Sequence, residues 1–430
     1  MNVADSQRVA SALEHLGYEN TAAPEEADII VLNTCVVRQS AEDKATGRLL
    51  TLQPLKQKNP NLIINLMGCL VGTKENKKLK ERFPFVDVFS PPSDPSPLIT
   101  LLAQKEGRQL EESETVTRFA WMDGDLRLPK KERGKLVSAY IPIVYGCSHA
   151  CTYCIIPYRR GVEQSRPVEE ILAEARALAA QGVKEITLLG QIVDRYGKDD
   201  PSLPGLAELL RLVSEIDGVE RLRFLTSHPN WMTDELLDAV ANLPKVMPHI
   251  EVPIQAGDDQ VLENMHRGYT VEQYRRLVER IRARIPGVSI ATDIIVGFPG
   301  ETEEQFQHTY ELLEDLKLDV AHLARYSPRT GTVSARRMPD DVSLEEKWRR
   351  FRLLEKLQEG IATEIHARYM GQVTPVLFEQ KGKERWRGRT PTNKLVFAAS
   401  DLDLRGKIVP VRVQWTGPWS MIGEIEPSAS

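Results

Sequence analysis

Cys147, Cys151 and Cys154 form a C-x-x-x-C-x-x-C pattern inside the stretch Tyr145–Gly161. Three thiolates on one short loop can converge on one soft metal centre, and thiolates select zinc, copper(I) or iron–sulfur clusters. A structural zinc or an electron-transfer cluster normally closes its shell with four protein ligands. Three local cysteines leave one position for something else. In a 4Fe-4S cluster that position is one iron, free to bind a small chelating molecule. The competing reading is a three-cysteine zinc site completed by a remote residue such as His149 or His228.

The elements around this loop must hold it. Val137–Tyr145 reads as a strand leading into it. Five further strand-like runs follow, at Glu185–Gly190, Arg221–Thr226, His249–Ile254, Val288–Val296 and Val320–Tyr326, with amphipathic helical stretches between them. Six strand–helix units predict a parallel partial (βα)6 barrel whose site is built at the carboxyl ends of the strands. Polar or glycine-rich sequence stands at each of those ends, which makes Gln191, His228, Gln255 and Arg325 candidate cofactor contacts. Tyr153, beside Cys154, is a further candidate, with core packing as the alternative. Gly297-Phe-Pro-Gly-Glu301 reads as a backbone cradle, because glycines let main-chain N–H groups approach a ligand closely. Neither G-x-G-x-x-G nor G-x-x-x-x-G-K-[ST] occurs, which excludes nucleotide sites of those types.

Before the barrel, apolar runs at Ala27–Asn33, Asn61–Met67 and Val86–Phe89 alternate with helical stretches, so a small parallel α/β, Rossmann-like unit is expected over residues 1–125. Val9, Leu13 and Leu16 share one face of an opening helix, where such a fold wants a leading strand. Cys35 and Cys69 each sit just past a strand end and should point at one rim. Small buried hydrophobes are the alternative for both. Arg108–Gly134 reads as a linker.

The barrel unit is expected over 135–365, and composition shifts after a charged helix, Leu344–Ala367. Five short strands in residues 366–430 suggest a small antiparallel β-barrel. Arg385, Arg387, Arg389 and Lys394 interleave with Trp386, the pattern of phosphate contact plus base stacking, although exposed charges on a sheet face are as common.

Composition sets outer bounds. The 430 residues carry a net charge of -5, so there is no overall basic field, though a local patch suffices for RNA. No run of about 20 apolar residues predicts a membrane span. Five cysteines, three of them clustered, suit a cytoplasmic metal protein better than a disulfide framework.

Gly146–Gly161, Ser165-Arg-Pro167, Leu189-Gly-Gln191, Thr226-Ser-His-Pro229, Arg267-Gly-Tyr-Thr270 and Thr292–Glu301 together resemble the methylthiotransferase family of radical S-adenosylmethionine (SAM) enzymes, over essentially the whole chain. Thr226–Pro229 and Arg267–Thr270 are most similar to its tRNA branch, and Trp386–Lys394 resembles the TRAM RNA-binding domain. The resemblance implies a 4Fe-4S cluster on Cys147, Cys151 and Cys154 with SAM on its open iron, and a 5'-deoxyadenosyl radical. It implies a second, auxiliary 4Fe-4S cluster that delivers sulfur, held by three cysteines of which Cys35 and Cys69 match two. In the family the first of the three stands shortly before an Asn-x-x-Asp-Ser segment; here Asn2–Ser6 matches that segment and Met1 precedes it. A third ligand and a leading strand are therefore expected just upstream, in a sequence that starts late. With the chain as written, the auxiliary cluster should be incomplete or labile.

The implied substrate is N(6)-dimethylallyladenosine beside the tRNA anticodon, methylthiolated at carbon 2. The implied partners are the tRNA anticodon loop and an electron donor such as flavodoxin or ferredoxin, with the chain a cytoplasmic monomer away from membranes. The sister branches act on threonylcarbamoyl adenosine or a ribosomal protein aspartate. A metal-bearing RNA-binding protein without turnover is the alternative outside the enzymes.

Overall fold

The computed structural model describes residues 1–105 and 128–426, so most of the expected linker lies outside the described residues. Its last turns are not free: Leu128 is buried in the central core.

The N-terminal sheet has strands β1 (Ile29–Thr34), β2 (Ile63–Gly68) and β3 (Val88–Ser90), all parallel, in that order. β2 is buried along its length, as its unbroken apolar run requires. Helices cover both faces. Val9 of the helix Asn2–His15 and Leu98 and Leu102 of the helix Ser96–Lys105 close one, and Leu49, Leu52 and Leu79 close the other. β1 is the outer strand, and a groove of about 660 Å³ runs between it and the opening helix, away from the thiols. The stretch after β1 forms two helices, Gln39–Leu50 and Gln53–Lys58, with Pro54 at the start of the second.

The central unit begins with β4 (Ser138–Pro142), followed by a short antiparallel pair, β5 (Val144–Tyr145) and β6 (Gln164–Ser165), that brackets the cysteine loop. β7 (Glu185–Leu189) and β8 (Arg221–Leu225) complete one parallel sheet with β4. β9 (His249–Glu251), β10 (Ser289–Val296) and β11 (Val320–Arg325) form a second. A bridge between Leu222 and Val246 joins them into one six-stranded open barrel, with β4 and β11 as its outer strands. Its helices are amphipathic at helical spacing, as with Leu206, Leu209, Leu210 and Val213. Capping boxes at Thr270/Gln273 and Thr302/Gln305 fix where two of them start. One contiguous core runs from Ala139 to Leu354.

Two ties bind the N-terminal unit to opposite lips of this open barrel. Near β4, Arg8 donates to the Tyr145 hydroxyl at 2.6 Å and to Glu174 at 2.7 Å. Beyond β11, Arg329 donates to Gln39 at 2.6 Å and pairs with Glu42.

β12 (Val373–Lys381), β13 (Trp386–Arg389), β14 (Leu395–Ala398), β15 (Ile408–Thr416) and β16 (Met421–Ile425) close a small barrel. It departs from the antiparallel expectation in one pair, since β14 and β16 run parallel. This barrel sits on the amino end of the central one. Arg221 donates to the carbonyls of Arg389 and Pro375, and Arg223 to those of Thr390 and Pro391. Arg223 also pairs with Glu185 at 3.0 Å, and Lys394 with Asp319 at 2.6 Å.

Candidate functional site

The three clustered thiols lie at the carboxyl end of the central barrel. Cys147 follows β5 directly, and its N–H donates to the Gly161 carbonyl across the loop. Gly146 must be glycine, since its φ is 65° and a Cβ would lie 2.0 Å from the Val162 carbonyl oxygen. Cys147 and Cys154 pack with Ile156, Ile192 and Trp231. Burial, above all, raises the Cys147 thiol to about 11 and the Cys154 thiol to about 12, with the neighbouring cysteines adding to it. At Cys147 the His149 N–H, which reaches its sulfur at 3.4 Å, opposes this; at Cys151 an Arg267 Nη reaches the sulfur at 3.2 Å. Among the described residues, no group of three or more His, Cys, Asp or Glu converges tightly enough to hold a single ion. A zinc needs donors within about 2.0–2.3 Å of one point, whereas a cubane takes its thiolates at separate iron corners.

Polar atoms around the thiols are buried and lack hydrogen-bond partners among the described residues: Nε2 of His149 and His228, Ser227 Oγ and Trp231 Nε1. Such atoms suit a polar ligand. His228 is 1% exposed, and its ring stands 4.5 Å from His149 and 5.5 Å from Tyr269. Burial first, then Arg267 and His149, push it down to about 2, so it is neutral. Its Nδ1 accepts from the Asn230 N–H, which leaves the proton on Nε2 as a donor. Asp194 accepts from the His228 N–H, and burial raises its carboxyl to about 7. Two strand ends hold non-glycine residues in the left-handed region, Thr226 at φ 70° and Gln255 at φ 80°. Such strain gathers at functional sites. Gln191 is also at this end, where its Nε2 lies 3.0 Å from the Met1 sulfur.

Three expected contacts look different in place. Gly297–Glu301 is a closed turn: the Gly297 N–H donates to the Glu301 carboxylate at 2.6 Å, which Arg350 also holds. Gly297 is required because a Cβ there would meet the Lys347 side chain at 2.3 Å. Arg325 lies 3.5 Å from the Trp348 ring centroid, committed to a cation–π contact. Tyr153 packs against Phe298 and the central core, and burial pushes its phenol well above the ordinary range.

Cys35 and Cys69 share one rim, as their places after β1 and β2 demand. The Cys69 N–H donates to the Thr34 carbonyl at 3.0 Å, which ties the two loops together. Cys35 is exposed and Cys69 is buried. Arg160 Nε donates to the Cys69 sulfur at 3.2 Å. Asp5 Oδ1 and Asn33 Oδ1 nearby are buried without partners among the described residues. A thiol sulfur that accepts from a guanidinium suits thiolate ligation.

Residues 141–313 match the Radical SAM superfamily, and residues 1–90 match uncharacterized protein family UPF0004. A relative from Roseiflexus sp. (strain RS-1) is 48% identical, the match covering 100% of this chain and 88% of that one. One from Chloroflexus aurantiacus is 47% identical over 98% of this chain and 89% of its own. Both are named tRNA-2-methylthio-N(6)-dimethylallyladenosine synthase. The chain belongs to that synthase family. The radical SAM methyltransferase TsrM from Kitasatospora setae, solved with cobalamin and a [4Fe-4S] cluster, shares the fold at a TM-score of 0.57 and 17% identity, over 77% of this chain and 73% of its own.

The synthases are radical SAM enzymes, so a 4Fe-4S cluster and SAM come with membership. For a synthase the residues expected to touch RNA divide sharply. Arg385 and Arg387 are exposed, while Trp386 is 3% exposed inside the small barrel's core. Trp386 cannot stack on a base from there. Lys394 is spent on Asp319, and Arg389 bonds to Asn393. Strand alternation, with Trp386 between Arg385 and Arg387, carried the signal for the tryptophan. Arg267 and Arg160 stood inside segments that carry the family resemblance, but nothing in the sequence named their partners, and Asp194 had no signal, because those partners are remote in sequence.

Proposed function

We propose that this chain transfers a methylthio group to carbon 2 of N(6)-dimethylallyladenosine in tRNA, with residues 1–125, 135–365 and 366–430 as auxiliary-cluster, radical SAM and RNA-binding units. The supporting observation is the set of three thiols at the barrel mouth, among buried polar atoms that lack partners among the described residues. Cys147, Cys151 and Cys154 are the ligands of a SAM-binding 4Fe-4S cluster, and Cys35 and Cys69 are ligands of an auxiliary one. A reduced cluster with SAM on its open iron supplies, when bound, a 5'-deoxyadenosyl radical.

The chain's own groups set the conditions for that chemistry. Arg267 donates to the Cys151 sulfur and so fixes where it points. Arg267 is itself fixed by the Tyr269 hydroxyl at 2.8 Å and the Pro253 carbonyl at 3.2 Å. His228 stays neutral and offers Nε2–H to an acceptor such as a carboxylate. Gln191 and Gln255 line the same mouth. Phe298, fully buried, and Tyr153 form an apolar wall that excludes water from a reactive intermediate. The target adenosine must be splayed from its loop to reach this depth. Arg385 and Arg387 are phosphate contacts. The electron donor is of flavodoxin or ferredoxin type, and the reaction takes place in the cytoplasm, where tRNA is.

The test is anaerobic reconstitution with iron and sulfide, then incubation with SAM, a reductant and tRNA bearing dimethylallyladenosine. Nucleoside mass spectrometry should show the methylthio product. Product on threonylcarbamoyl adenosine instead, or SAM cleavage without either, would refute the assignment.

A further inference from the structure

The segment that leaves the SAM-site thiols is also the floor of the other cysteine site. Cys154 is followed by Ile155, which packs in the N-terminal core beside Cys69 and Leu70. Its neighbour Ile156 packs the opposite way, with Cys147 and Cys154. Two consecutive side chains thus belong to the surroundings of two different thiol sites. The short helix Ile156–Arg160 then delivers two arginines. Arg159 reaches the Leu70 carbonyl at 3.5 Å, and its side chain lies against Gly72. Arg160 spreads its guanidinium over three acceptors: Nε to the Cys69 sulfur at 3.2 Å, one Nη to Asn2 Oδ1 at 2.9 Å and the other to Ser93 Oγ at 3.4 Å.

We propose that Arg160 is a positioning residue for the auxiliary iron–sulfur site, clamping the Cys69 sulfur and locking that site to the loop that carries the SAM-binding thiols. The inference rests on the reading of Cys35 and Cys69 as cluster ligands. It adds a residue from the central unit to a site whose cysteines both come from the N-terminal one. A guanidinium is suited to this task, since its planar fork serves three acceptors at fixed angles. A lysine could serve the charge but not the fork. An N–H donor and a positive charge at a ligating sulfur stabilise the more negative, reduced cluster, so they raise its potential. The buried Asp5 carboxylate faces the same guanidinium and bonds to Ser93, so it sets the far side of the clamp.

The experiment uses the full chain, reconstituted anaerobically, with iron and sulfide counted first and each cluster's potential followed by EPR-monitored titration. If the unsubstituted protein takes up one cluster only, Cys35 and Cys69 do not hold an auxiliary cluster in this chain, and the inference about its positioning residue falls before any variant is made. If it takes up two, Arg160→Gln should shift the auxiliary potential to more negative values or lose that cluster, while the SAM-site signal stays in place. Arg160→Lys should recover part of the shift, and Arg159→Gln, which touches no thiol, should show none. An unchanged auxiliary potential with full iron in Arg160→Gln overturns the proposal. So does loss of both clusters together in Arg160→Gln and Arg160→Lys, which would make Arg160 a determinant of the fold rather than of one site.

Discussion

The two ends of the central barrel bury polar groups to opposite effect. At the amino end, Arg221, Arg223, Glu185, Lys394 and Asp319 are paired with one another or with carbonyls of the small barrel. At the carboxyl end, His149, His228, Ser227 and Trp231 each keep a buried atom without a partner among the described residues. A desolvated polar group costs about 1–3 kcal/mol unless something satisfies it. The amino end meets that demand for its charged groups within the chain, Gln358 Oε1 being an exception among the described residues, and is a docking surface. The carboxyl end leaves it unmet among the described residues, as a site for a polar ligand would. The pairing state of buried groups, more than their number or charge, separates the two.

Four substitutions test this contrast, the largest effect first. Cys151→Ala at the carboxyl end should abolish product and lower iron by about four per chain, a cubane's content. Retained iron and activity would remove the cluster assignment. Glu185→Gln at the amino end leaves Arg223 as a buried charge without its counter-charge. Chemical denaturation should then show a loss of about 3 kcal/mol, as for other broken buried pairs. A loss below about 1 kcal/mol would mean that the end is not a docking surface of the kind described.

His249, also at the amino end, is buried beside Arg223 and Lys394 and is pushed down to about 3, by burial first and then by those cations. Its folded value is below its unfolded one, so its contribution is present above about pH 6.5 and is lost as pH falls toward 3. His249→Gln should remove that loss, and the stability gap between variant and parent should narrow by about 2 kcal/mol on acidification to about pH 4.5. A parallel pair of pH profiles would contradict it. The smallest effect is expected for His228→Phe. The ring loses only the contact that Nδ1 accepts from the Asn230 N–H at 3.3 Å, so stability should fall by about 1 kcal/mol, while SAM affinity, read by calorimetry, drops about tenfold. A large destabilisation with intact affinity would show that the histidine is core rather than site.

Much of this was legible in the chain. The six barrel strands and the cysteine loop could be read because parallel strands are continuous apolar runs and their helices repeat at helical spacing. Cys35 and Cys69 could be placed on one rim because topology alone puts them there. Sequence failed where a residue's partner is distant. Lys394 looked like a phosphate contact until Asp319, 75 positions away, was found to hold it. Gly297–Glu301 looked like a ligand cradle because glycine spacing does not reveal that Glu301 folds back onto Gly297 or that the helix Leu344–Ala367 crowds it. Arg325 stood at a strand end as expected, but Trp348 on that same helix takes up its charge.

The pair of ties between the N-terminal unit and the barrel lips has a mechanical consequence. A body pinned at two points can rock about the line joining them, and a third pin, Arg160 on Asn2, Ser93 and Cys69, opposes that motion. Arg8 with Glu174 and Arg329 with Glu42 are such pins, and their arginine side chains are only 13% and 6% exposed, so bulk salt loosens them little. The width of the mouth is then held by three arginines contributed by both units, Arg8, Arg160 and Arg329, and prying it open means breaking at least one of their contacts.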